Sequence, residues 1–307
     1  MKILVGYSGF VGSNICSQEK FDALFNSKNI SDSFGLNPDL CIYSGVKAEK
    51  YVANLNPTED LNHIEESFEN IIKINPKKLV LISTVDVYDQ TSNLNEDYNS
   101  DINKLNPYGR NRLILENKVI NYFNDVHIVR LPALFGQNLK KNFIFDILNP
   151  IPSKLTINKF NEITSKNKFF TQIYRKLDEN FYVLDKDTSI NNEEIINNLD
   201  SINFNSLFFT DSRSEFQFYN LANLYSDLSI VVNNSIKKIN FVNEPLETSE
   251  IYYSIFSKNF KNEINSNFPK YNLKTKYFEL FNGSNGYIKD KLKVLSELKD
   301  FIESHRL

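Results

Sequence analysis

Short apolar runs and amphipathic segments alternate along the first 136 residues of the chain. Apolar runs typical of buried strands occupy residues 3–5, 40–43, 79–82 and 126–131. Between them, apolar residues recur at helical spacing from about residue 58 to residue 73 and from about residue 107 to residue 123. This alternation predicts an α/β fold with a doubly wound parallel sheet, in which ligands gather at the carboxyl ends of the strands.

Three of the nine glycines in the 307 residues follow the first apolar run, at Gly6, Gly9 and Gly12. A strand, a glycine turn and a helix together present backbone N–H groups and a helix N-terminus to a pyrophosphate. Glycine is needed because a side chain would block the tight turn or the close approach of the phosphates. The spacing therefore predicts a dinucleotide site at the end of the first strand.

The pattern changes near residue 149, where a stretch rich in Asn, Lys, Ile and Phe begins and continues to about residue 205. One short amphipathic segment at 191–199 and another at 294–302 predict helices. We therefore predict a dinucleotide-binding domain at 1–148 and a smaller C-terminal substrate lobe at 149–307, with part of 206–243 returning to the sheet.

Composition narrows the function class. Hydrophobic residues make up 41% of the chain, and a net charge of −3 gives no pull toward nucleic acid or an anionic membrane. Neither an apolar run of the roughly 18–20 residues that span a bilayer nor a leader is seen, so we expect a cytoplasmic protein. Cys16 and Cys41 are predicted to be buried thiols, and the three histidines are too scattered for a metal site.

Hydroxyl groups and a cation follow the apolar run at 79–82. Ser83 and Thr84 end that run, while Tyr108 and Arg112 stand four residues apart at the start of the helix predicted at 107–123, on one helix face. A phenol has a reference pKa of about 10, so it needs a nearby positive charge to act as an acid or base at neutral pH. Thr84, Tyr108 and Arg112 are therefore predicted to form a proton-transfer group.

Four motifs occur in a characteristic order: Gly6-x-x-Gly9-x-x-Gly12, Ser83-Thr84-x-x-Val87-Tyr88, Tyr108, and Val129-Arg130-Leu131-Pro132-x-x-Phe135-Gly136. Together they resemble the extended short-chain dehydrogenase/reductase family, which includes nucleotide-sugar epimerases, dehydratases and reductases. The resemblance covers residues 1–140 well and implies a Rossmann-like fold. It also implies that Thr84 orients the substrate oxygen, that Tyr108 exchanges the proton and that a nicotinamide carries the hydride. Members of the family often dimerise through the helix that matches 107–123, so a homodimer is implied as well.

Three positions depart from the family pattern. Arg112 replaces the lysine of Tyr-x-x-x-Lys, and its flat fork is not interchangeable with a compact ammonium. Val85 and Asp86 stand where sugar dehydratases carry Asp-Glu, so half of that acid–base pair is missing. Ala133 replaces an asparagine that anchors the substrate in many nucleotide-sugar enzymes. Reduction or epimerisation is therefore expected rather than dehydration.

The second strand bears on the choice of cofactor. An acidic residue about 20 positions after the glycines binds the adenosine ribose in NAD enzymes, but this chain has Asn26 there, followed by Ser27 and Lys28. Because no carboxylate would repel a 2′-phosphate, NADP(H) is favoured over NAD(H). Alternatively, Lys28 is a solvated loop residue and Asp22 or Asp32 binds the ribose.

The remaining site predictions are less specific. The residues predicted to bind the cofactor are Gly6, Ser8, Gly9, Phe10, Val11, Gly12, Asn26, Ser27, Lys28, Ser44, Gly45, Val46, Ser83 and Pro132. Those predicted to bind the substrate are Asp86, Asn142 and Arg213. A strand-end turn at 44–46 and a helix cap near Asn142 are the structural alternatives, and Arg213 is offset by one residue from its match in the family.

Two functional hypotheses follow. The first is an NAD(P)(H)-dependent oxidoreductase, of keto-reductase or epimerase type, that acts on a nucleotide-linked sugar or a related polar carbonyl compound. The second is a catalytically silent NADP(H)-binding sensor or scaffold, which the exchange of lysine for Arg112 keeps open. Retention of both Thr84 and Tyr108 argues against the second, since a sensor needs neither.

Overall fold

The computed structural model describes residues 1–185, 187–264 and 266–305. Its strands are β1 (Lys2–Val5), β2 (Ala23–Phe25), β3 (Leu40–Tyr43), β4 (Leu79–Thr84), β5 (Val126–Leu131), β6 (Ala133–Phe135), β7 (Lys154–Thr156), β8 (Tyr174–Lys176), β9 (Phe181–Leu184), β10 (Glu215–Phe216), β11 (Phe218–Asn220), β12 (Lys238–Asn240) and β13 (Leu246–Glu247). Its α-helices are α1 (Phe10–Gln18), α2 (Lys50–Leu55), α3 (Pro57–Ile74), α4 (Pro107–Tyr122), α5 (Phe143–Leu148), α6 (Ile157–Lys166), α7 (Asn192–Ser201), α8 (Leu224–Asn233), α9 (Thr248–Phe256) and α10 (Lys291–His305).

Six strands form the central sheet in the order β12-β5-β4-β3-β1-β2, and every neighbouring pair is parallel. The predicted doubly wound, Rossmann-like sheet is therefore confirmed. Because β2 and β3 lie on opposite sides of β1, the winding direction reverses between β1 and β3. Open α/β sheets bind their ligands at the carboxyl edge beside such a reversal. Gly6 and Ser44 follow β1 and β3 directly, so they lie at this edge.

Both faces of the sheet are covered, which explains the continuous apolar runs in its strands. Successive side chains of a strand point to opposite faces. In β1, Ile3 and Val5 therefore join one buried cluster with residues of α3 and α4, while Leu4 joins the cluster on the other face with residues of α1 and α8. The helices predicted at 58–73 and 107–123 appear as α3 and α4, each with a proline in its first turn.

A smaller lobe follows α5. Its strands form an antiparallel sheet in the order β7-β9-β8, and with α6 and α7 they enclose a separate apolar cluster. The sequence pattern had indicated only the helix at 191–199 in this region. The chain then returns to the central sheet through β12. Cys16 and Cys41 are both free thiols; Cys41 is fully buried, whereas Cys16 is only half-buried.

Candidate active site

The glycine turn after β1 packs directly against the end of β3. A Cβ atom on Gly12 would lie 2.1 Å from the Gly6 carbonyl oxygen, and one on Gly6 would lie 2.6 Å from the Ser44 carbonyl. The Ser44 hydroxyl donates a hydrogen bond to the Val5 carbonyl, with the two oxygens 2.8 Å apart. The structure thus brings the predicted cofactor residues of both strand ends together and leaves no room for side chains at Gly6 and Gly12.

Helix α1 begins immediately after this turn, with Gly9 as its N-cap and no side-chain cap. The N–H groups in the first turn of a helix have no acceptor within the helix, and the helix dipole adds partial positive charge there. Phe10, Val11 and Gly12 supply that first turn, and Ser8 precedes it. This cradle of backbone donors fits a pyrophosphate.

The loop after β2 carries an amide where NAD enzymes carry an acid. The Asn26 side chain accepts a hydrogen bond from the Lys28 backbone N–H at 2.9 Å and donates one to the Ser8 hydroxyl at 3.2 Å. Ser27 and Lys28 are exposed in this loop. Asp22 lies at the opposite end of the strand, where its carboxylate accepts from the Lys2 backbone N–H at 2.6 Å. Asp22 is therefore wrongly placed to bind a ribose at the carboxyl edge.

Thr84 and Tyr108 are brought together by the close contact of two elements. Thr84 ends β4, and its hydroxyl accepts a hydrogen bond from the Asp86 backbone N–H at 3.1 Å. Asn106 caps α4 by accepting from the Gly109 N–H at 3.0 Å, which sets Tyr108 in the first turn of α4. A Cβ atom on Gly109 would lie 2.0 Å from the Asp86 carbonyl oxygen, so only glycine lets the two elements approach this closely. The Thr84 hydroxyl is consequently near enough to the buried phenol to lower its pKa.

Arg112 lies one turn further along α4 and is almost fully buried. Its guanidinium carbon lies 4.1 Å from the centre of the Tyr108 ring. One terminal nitrogen forms an ion pair with Asp60 of α3, and the other donates to the Lys47 carbonyl oxygen. The cation predicted to tune the phenol is therefore present, but it stacks on the ring and its charge is matched by a buried carboxylate.

A cavity of about 200 Å³ opens at the carboxyl ends of β4 and β5. Nine residues line it: Lys50, Thr84, Val85, Asp86, Pro132, Ala133, Phe216, Gln217 and Tyr271. Thr84, Asp86 and Pro132 were predicted site residues, and Ala133 replaces the missing asparagine. Tyr108 and Arg112 are absent from this lining, since both side chains are covered by their neighbours.

Lys50, Asp86 and Tyr271 form a hydrogen-bonded group on one wall of this cavity. One Asp86 carboxylate oxygen accepts from the Lys50 ammonium at 2.8 Å and from the Tyr271 hydroxyl at 2.8 Å. The Lys50 nitrogen lies 3.3 Å from the Tyr271 oxygen, which closes the triangle. Burial by itself would lower the pKa of Lys50, but Asp86 and Tyr271 raise it above its ordinary value. Burial, with the Asp86 charge, raises the pKa of Tyr271 to about 12.

The electrostatic environment of Tyr108 combines opposing effects. Burial raises the pKa of its phenol above the ordinary value and outweighs the lowering by Arg112. The Asp86 carboxylate raises this pKa further, while Lys50 and the Thr84 hydroxyl lower it. The phenol is therefore protonated at neutral pH, which is the form that a proton donor needs.

Ser83, a predicted cofactor residue, faces a buried ion pair instead. Its hydroxyl donates to Glu116 at 2.6 Å, and Glu116 pairs with Arg130 at 2.5 Å. The Arg130 guanidinium carbon also lies 4.8 Å from the centre of the Tyr88 ring. Through these contacts, Ser83 and Arg130 pack against α4. Val46, another predicted cofactor residue, packs against the apolar cluster on the face of the sheet that α3 and α4 cover.

Two of the predicted substrate residues have structural partners. Asn142 caps α5: its carbonyl oxygen accepts from the Ile144 and Phe145 N–H groups, and its amide donates to the Leu134 carbonyl. Arg213 pairs with Asp211 at 2.7 Å and also approaches Glu263 at 3.4 Å. Neither lies in the cavity lining, so the helix-cap alternative describes Asn142 better.

Sequence reasoning missed Lys50, Asp60, Gly109 and Tyr271. Asp60 carried a signal, because it lies on the buried face of α3 with Ile64, and a carboxylate on such a face needs a cation. No local pattern marked Lys50 or Tyr271, because the fold alone brings them together from positions 221 residues apart.

Among the described residues, no group of three or more His, Cys, Asp or Glu side chains is placed to hold a metal ion. In the same part of the chain, no helix combines the length and the apolar character needed to cross a lipid bilayer.

The sequence matches no protein-family model and no curated protein. The fold, however, is similar to solved structures over nearly the whole chain. A dTDP-4-dehydrorhamnose reductase from Yersinia enterocolitica has 15% sequence identity and a TM-score of 0.63, with 99% of each chain covered. The dTDP-4-dehydrorhamnose reductase from Bacillus anthracis, in complex with NADP, has 16% identity and a TM-score of 0.62, with coverage of 99% of this chain and 98% of that one.

A UDP-N-acetylglucosamine 4-epimerase from Methanobrevibacter ruminantium, in complex with UDP-N-acetylmuramic acid, has 13% identity and a TM-score of 0.62. There, 98% of this chain and 96% of that one are covered. At these identities the similarity establishes the fold. The Rossmann-like fold implied by the sequence resemblance is therefore confirmed.

Proposed function

We propose that this chain is an NADP(H)-dependent oxidoreductase of the extended short-chain dehydrogenase/reductase type, acting on a polar carbonyl compound. One observation carries the proposal: Thr84, with the Tyr108 phenol in reach, borders a cavity at the same sheet edge as the glycine turn. A hydroxyl and a protonated phenol beside a dinucleotide cradle are the groups that carbonyl reduction requires.

The cofactor half of the site rests on backbone geometry. The turn at Gly6 and Gly12, with the uncapped start of α1, would hold the pyrophosphate. When bound, the nicotinamide would supply or accept the hydride. The amide of Asn26 and the neighbouring Lys28 favour a 2′-phosphate over a bare ribose, which supports NADP(H) over NAD(H). The Bacillus anthracis reductase of similar fold was crystallised with NADP, in agreement with this preference.

The substrate half rests on the cavity lining. Thr84 would donate to or accept from the substrate oxygen, and Tyr108 would move the proton to or from that oxygen. Pro132, Phe216 and Val85 give the cavity apolar walls that exclude water from the reacting atoms. Because the phenol pKa is raised, Tyr108 is set to donate, which favours the reductive direction at neutral pH.

For the substrate, we infer a nucleotide-linked sugar or a related polar carbonyl compound. The names of the proteins with similar folds refer to dTDP- and UDP-linked sugars, and both reduction and 4-epimerisation occur among them. The lobe at 149–307 would enclose this substrate against the dinucleotide domain at 1–148. A homodimer through α4 is part of the same proposal.

A sensor or scaffold function is the second candidate. The observation that favours it is the enclosed position of Tyr108 and Arg112, whose side chains are both covered and absent from the cavity lining. A protein of this kind would bind NADPH and never oxidise it.

Binding and turnover measurements separate the two candidates. NADPH and NADH affinities would be measured by titration, and NADPH consumption would be followed with free, dTDP-, UDP- and GDP-linked keto sugars. We expect tighter binding of NADPH than of NADH, and loss of the reduced nicotinamide absorbance with at least one sugar. Tight NADPH binding without consumption across the panel would favour the sensor, and no binding of either dinucleotide would refute both.

A further inference from the structure

The cation that sequence reasoning assigned to the reaction is closed off from the cavity. Both terminal nitrogens of Arg112 have partners, Asp60 and the Lys47 carbonyl, and only 5% of its side chain is exposed. Its guanidinium lies over the Tyr108 ring, and Arg112 is not among the residues that line the cavity. Arg112 is therefore too enclosed to meet a substrate in this cavity.

Lys50 is the cationic side chain among the nine residues that line the cavity. An ammonium has three N–H donors. Among the described residues, Asp86 and Tyr271 take two of these donors, at 2.8 Å and 3.3 Å. The third donor is left for a ligand, because 43% of the Lys50 side chain is exposed and the residue lines the cavity. The carboxylate and the phenol thus position the ammonium without using its full capacity.

We propose that Lys50 is a further catalytic residue of this site, whose ammonium, positioned by Asp86 and Tyr271, donates a hydrogen bond to the substrate oxygen beside Thr84. This inference rests on the proposed function and deepens it. It assigns to a residue of α2 the positive charge that the family motif places four residues after the tyrosine.

The charge balance of the reductive step explains why a cation is needed at this wall. As the carbonyl carbon accepts a hydride, which the reduced dinucleotide would supply, the π electrons of the C=O bond move to the oxygen. The Tyr108 O–H bond then breaks, and its proton forms the new O–H bond of the alcohol. The negative charge passes from the substrate oxygen to the phenolate. An ammonium that faces this oxygen stabilises the charge where it develops, and its attraction extends to the phenolate beside Thr84.

A titration that needs no substrate tests the electrostatic part of this inference. A difluorotyrosine is incorporated at position 108, and its ionisation is followed by fluorine NMR in the otherwise unchanged chain and in variants. The charged groups that face this phenol are Arg112 on its own helix, backed by Asp60 of α3, and the Asp86–Lys50 pair on the cavity wall.

Removal of the Lys50 charge and removal of the Asp86 charge are expected to shift the titration midpoint in opposite directions. Lys50→Met removes a positive charge and is expected to raise the titration midpoint of the residue at position 108. Asp86→Asn removes a negative charge and is expected to lower this midpoint. Lys50→Arg keeps the positive charge, so its midpoint is expected to stay close to that of the unchanged chain. Lys47→Met is the matched control, because the Lys47 ammonium contacts the half-buried His63 ring and Lys47 does not line the cavity. An unmoved midpoint in both Lys50→Met and Asp86→Asn, or an equal shift in Lys47→Met, would overturn the proposal. If Lys50→Met does not fold, Asp86→Asn still decides by the sign of its shift.

The catalytic part is tested once a carbonyl substrate has been found. Lys50→Met is expected to lower kcat about 100-fold with a smaller change in KM, because the contact strengthens as the oxygen becomes negative. Lys50→Arg is expected to restore part of this loss. An unchanged kcat in Lys50→Met would contradict the role of Lys50 while leaving the proposed function intact. Absence of turnover in the unchanged chain would contradict the proposed function and, with it, the catalytic role of Lys50.

Discussion

Two cation–carboxylate pairs lie near Tyr108, and they differ in burial. The pair of Arg112 with Asp60 is enclosed between α4 and α3, and both side chains are at most 8% exposed. The pair of Lys50 with Asp86 borders the cavity, and Lys50 is 43% exposed. An enclosed pair is inaccessible to a ligand, whereas a pair at a cavity can still bind one.

The two pairs show that one charged side chain can stabilise the packing while another stays accessible to a ligand. Arg112 is adjacent to Tyr108 in the sequence pattern, and yet its partners fix it in the packing of α4. Lys50 is distant in sequence, and yet it shares the cavity with Thr84. Spacing on a helix predicts which residues share a face, but the partners that a side chain finds in the fold determine whether its charge is available.

The largest expected effect is on stability. Arg112→Met leaves the buried Asp60 carboxylate without its cation, which is expected to cost about 3–5 kcal/mol in the free energy of unfolding. Lys50→Met breaks a half-exposed pair and is expected to cost no more than about 1 kcal/mol. Urea denaturation of both variants measures the difference.

The double variant Arg112→Met with Asp60→Asn is the control, because it removes the stranded charge and is expected to recover part of the loss. Equal costs for Arg112→Met and Lys50→Met would contradict the assignment of Arg112 to the packing.

Gly109→Ala is expected to disturb the contact between α4, which carries Arg112, and the segment after β4, which carries Asp86. The new methyl group would lie 2.0 Å from the Asp86 carbonyl oxygen, so α4 and the segment after β4 must separate. Overpacking of this kind costs about 1–3 kcal/mol. We expect a lower urea midpoint and lower turnover together. Arg110→Ala, at the next position of the same helix, serves as the control. Native stability in Gly109→Ala would show that the contact does not fix the position of Tyr108.

A charge placed in the loop after β2 tests the cofactor half of the site and changes neither pair. Asn26→Asp adds a carboxylate at the end of β2, where it would repel a 2′-phosphate. We expect NADPH affinity to fall about tenfold, equivalent to about 1.4 kcal/mol, with NADH affinity unchanged or improved. Dissociation constants for both dinucleotides, with Asn26→Ser as the uncharged control, provide the measurement. An unaltered NADPH preference would place the 2′-phosphate elsewhere.

The smallest expected effect is a displacement in pH. Burial raises the pKa of Tyr108, so its donor form persists across neutral pH, and carbonyl reduction should decline only as the pH rises through that pKa. Removing the Lys50 charge raises the pKa further and should move the alkaline limb of the kcat/KM profile upward. Removing the Asp86 charge should move it downward. If the profiles of Lys50→Met and Asp86→Asn coincide, the Lys50–Asp86 pair does not act on Tyr108 as proposed.

The cofactor half could be predicted from the sequence because it depends on local patterns. The strand at residues 3–5, the glycine turn and the following helix are consecutive, and close approach at Gly12 follows from glycine itself. The strands at 40–43 and 126–131 were found with their observed bounds, since a strand covered on both faces has a continuous apolar run.

The substrate half could be predicted only in part, because its wall is assembled from distant segments. Thr84 and Tyr108 stood in motifs, whereas Lys50 and Tyr271 meet only through the folded chain. The lobe strands β7 to β9 are only three or four residues long, which is too short for their sequences to show a strand periodicity. Asn142 had a capping alternative in the sequence, and the structure favours that alternative.

Turnover of Tyr108→Phe, measured together with NADPH binding, tests the central claim most directly. The substitution removes one hydroxyl from a buried ring and leaves the glycine turn untouched. We predict an unchanged NADPH dissociation constant and a loss of turnover of about 100-fold or more with any keto sugar that the unchanged chain reduces. Turnover equal to that of the unchanged chain would contradict the assignment of Tyr108 as the proton donor and, with it, the proposed mechanism.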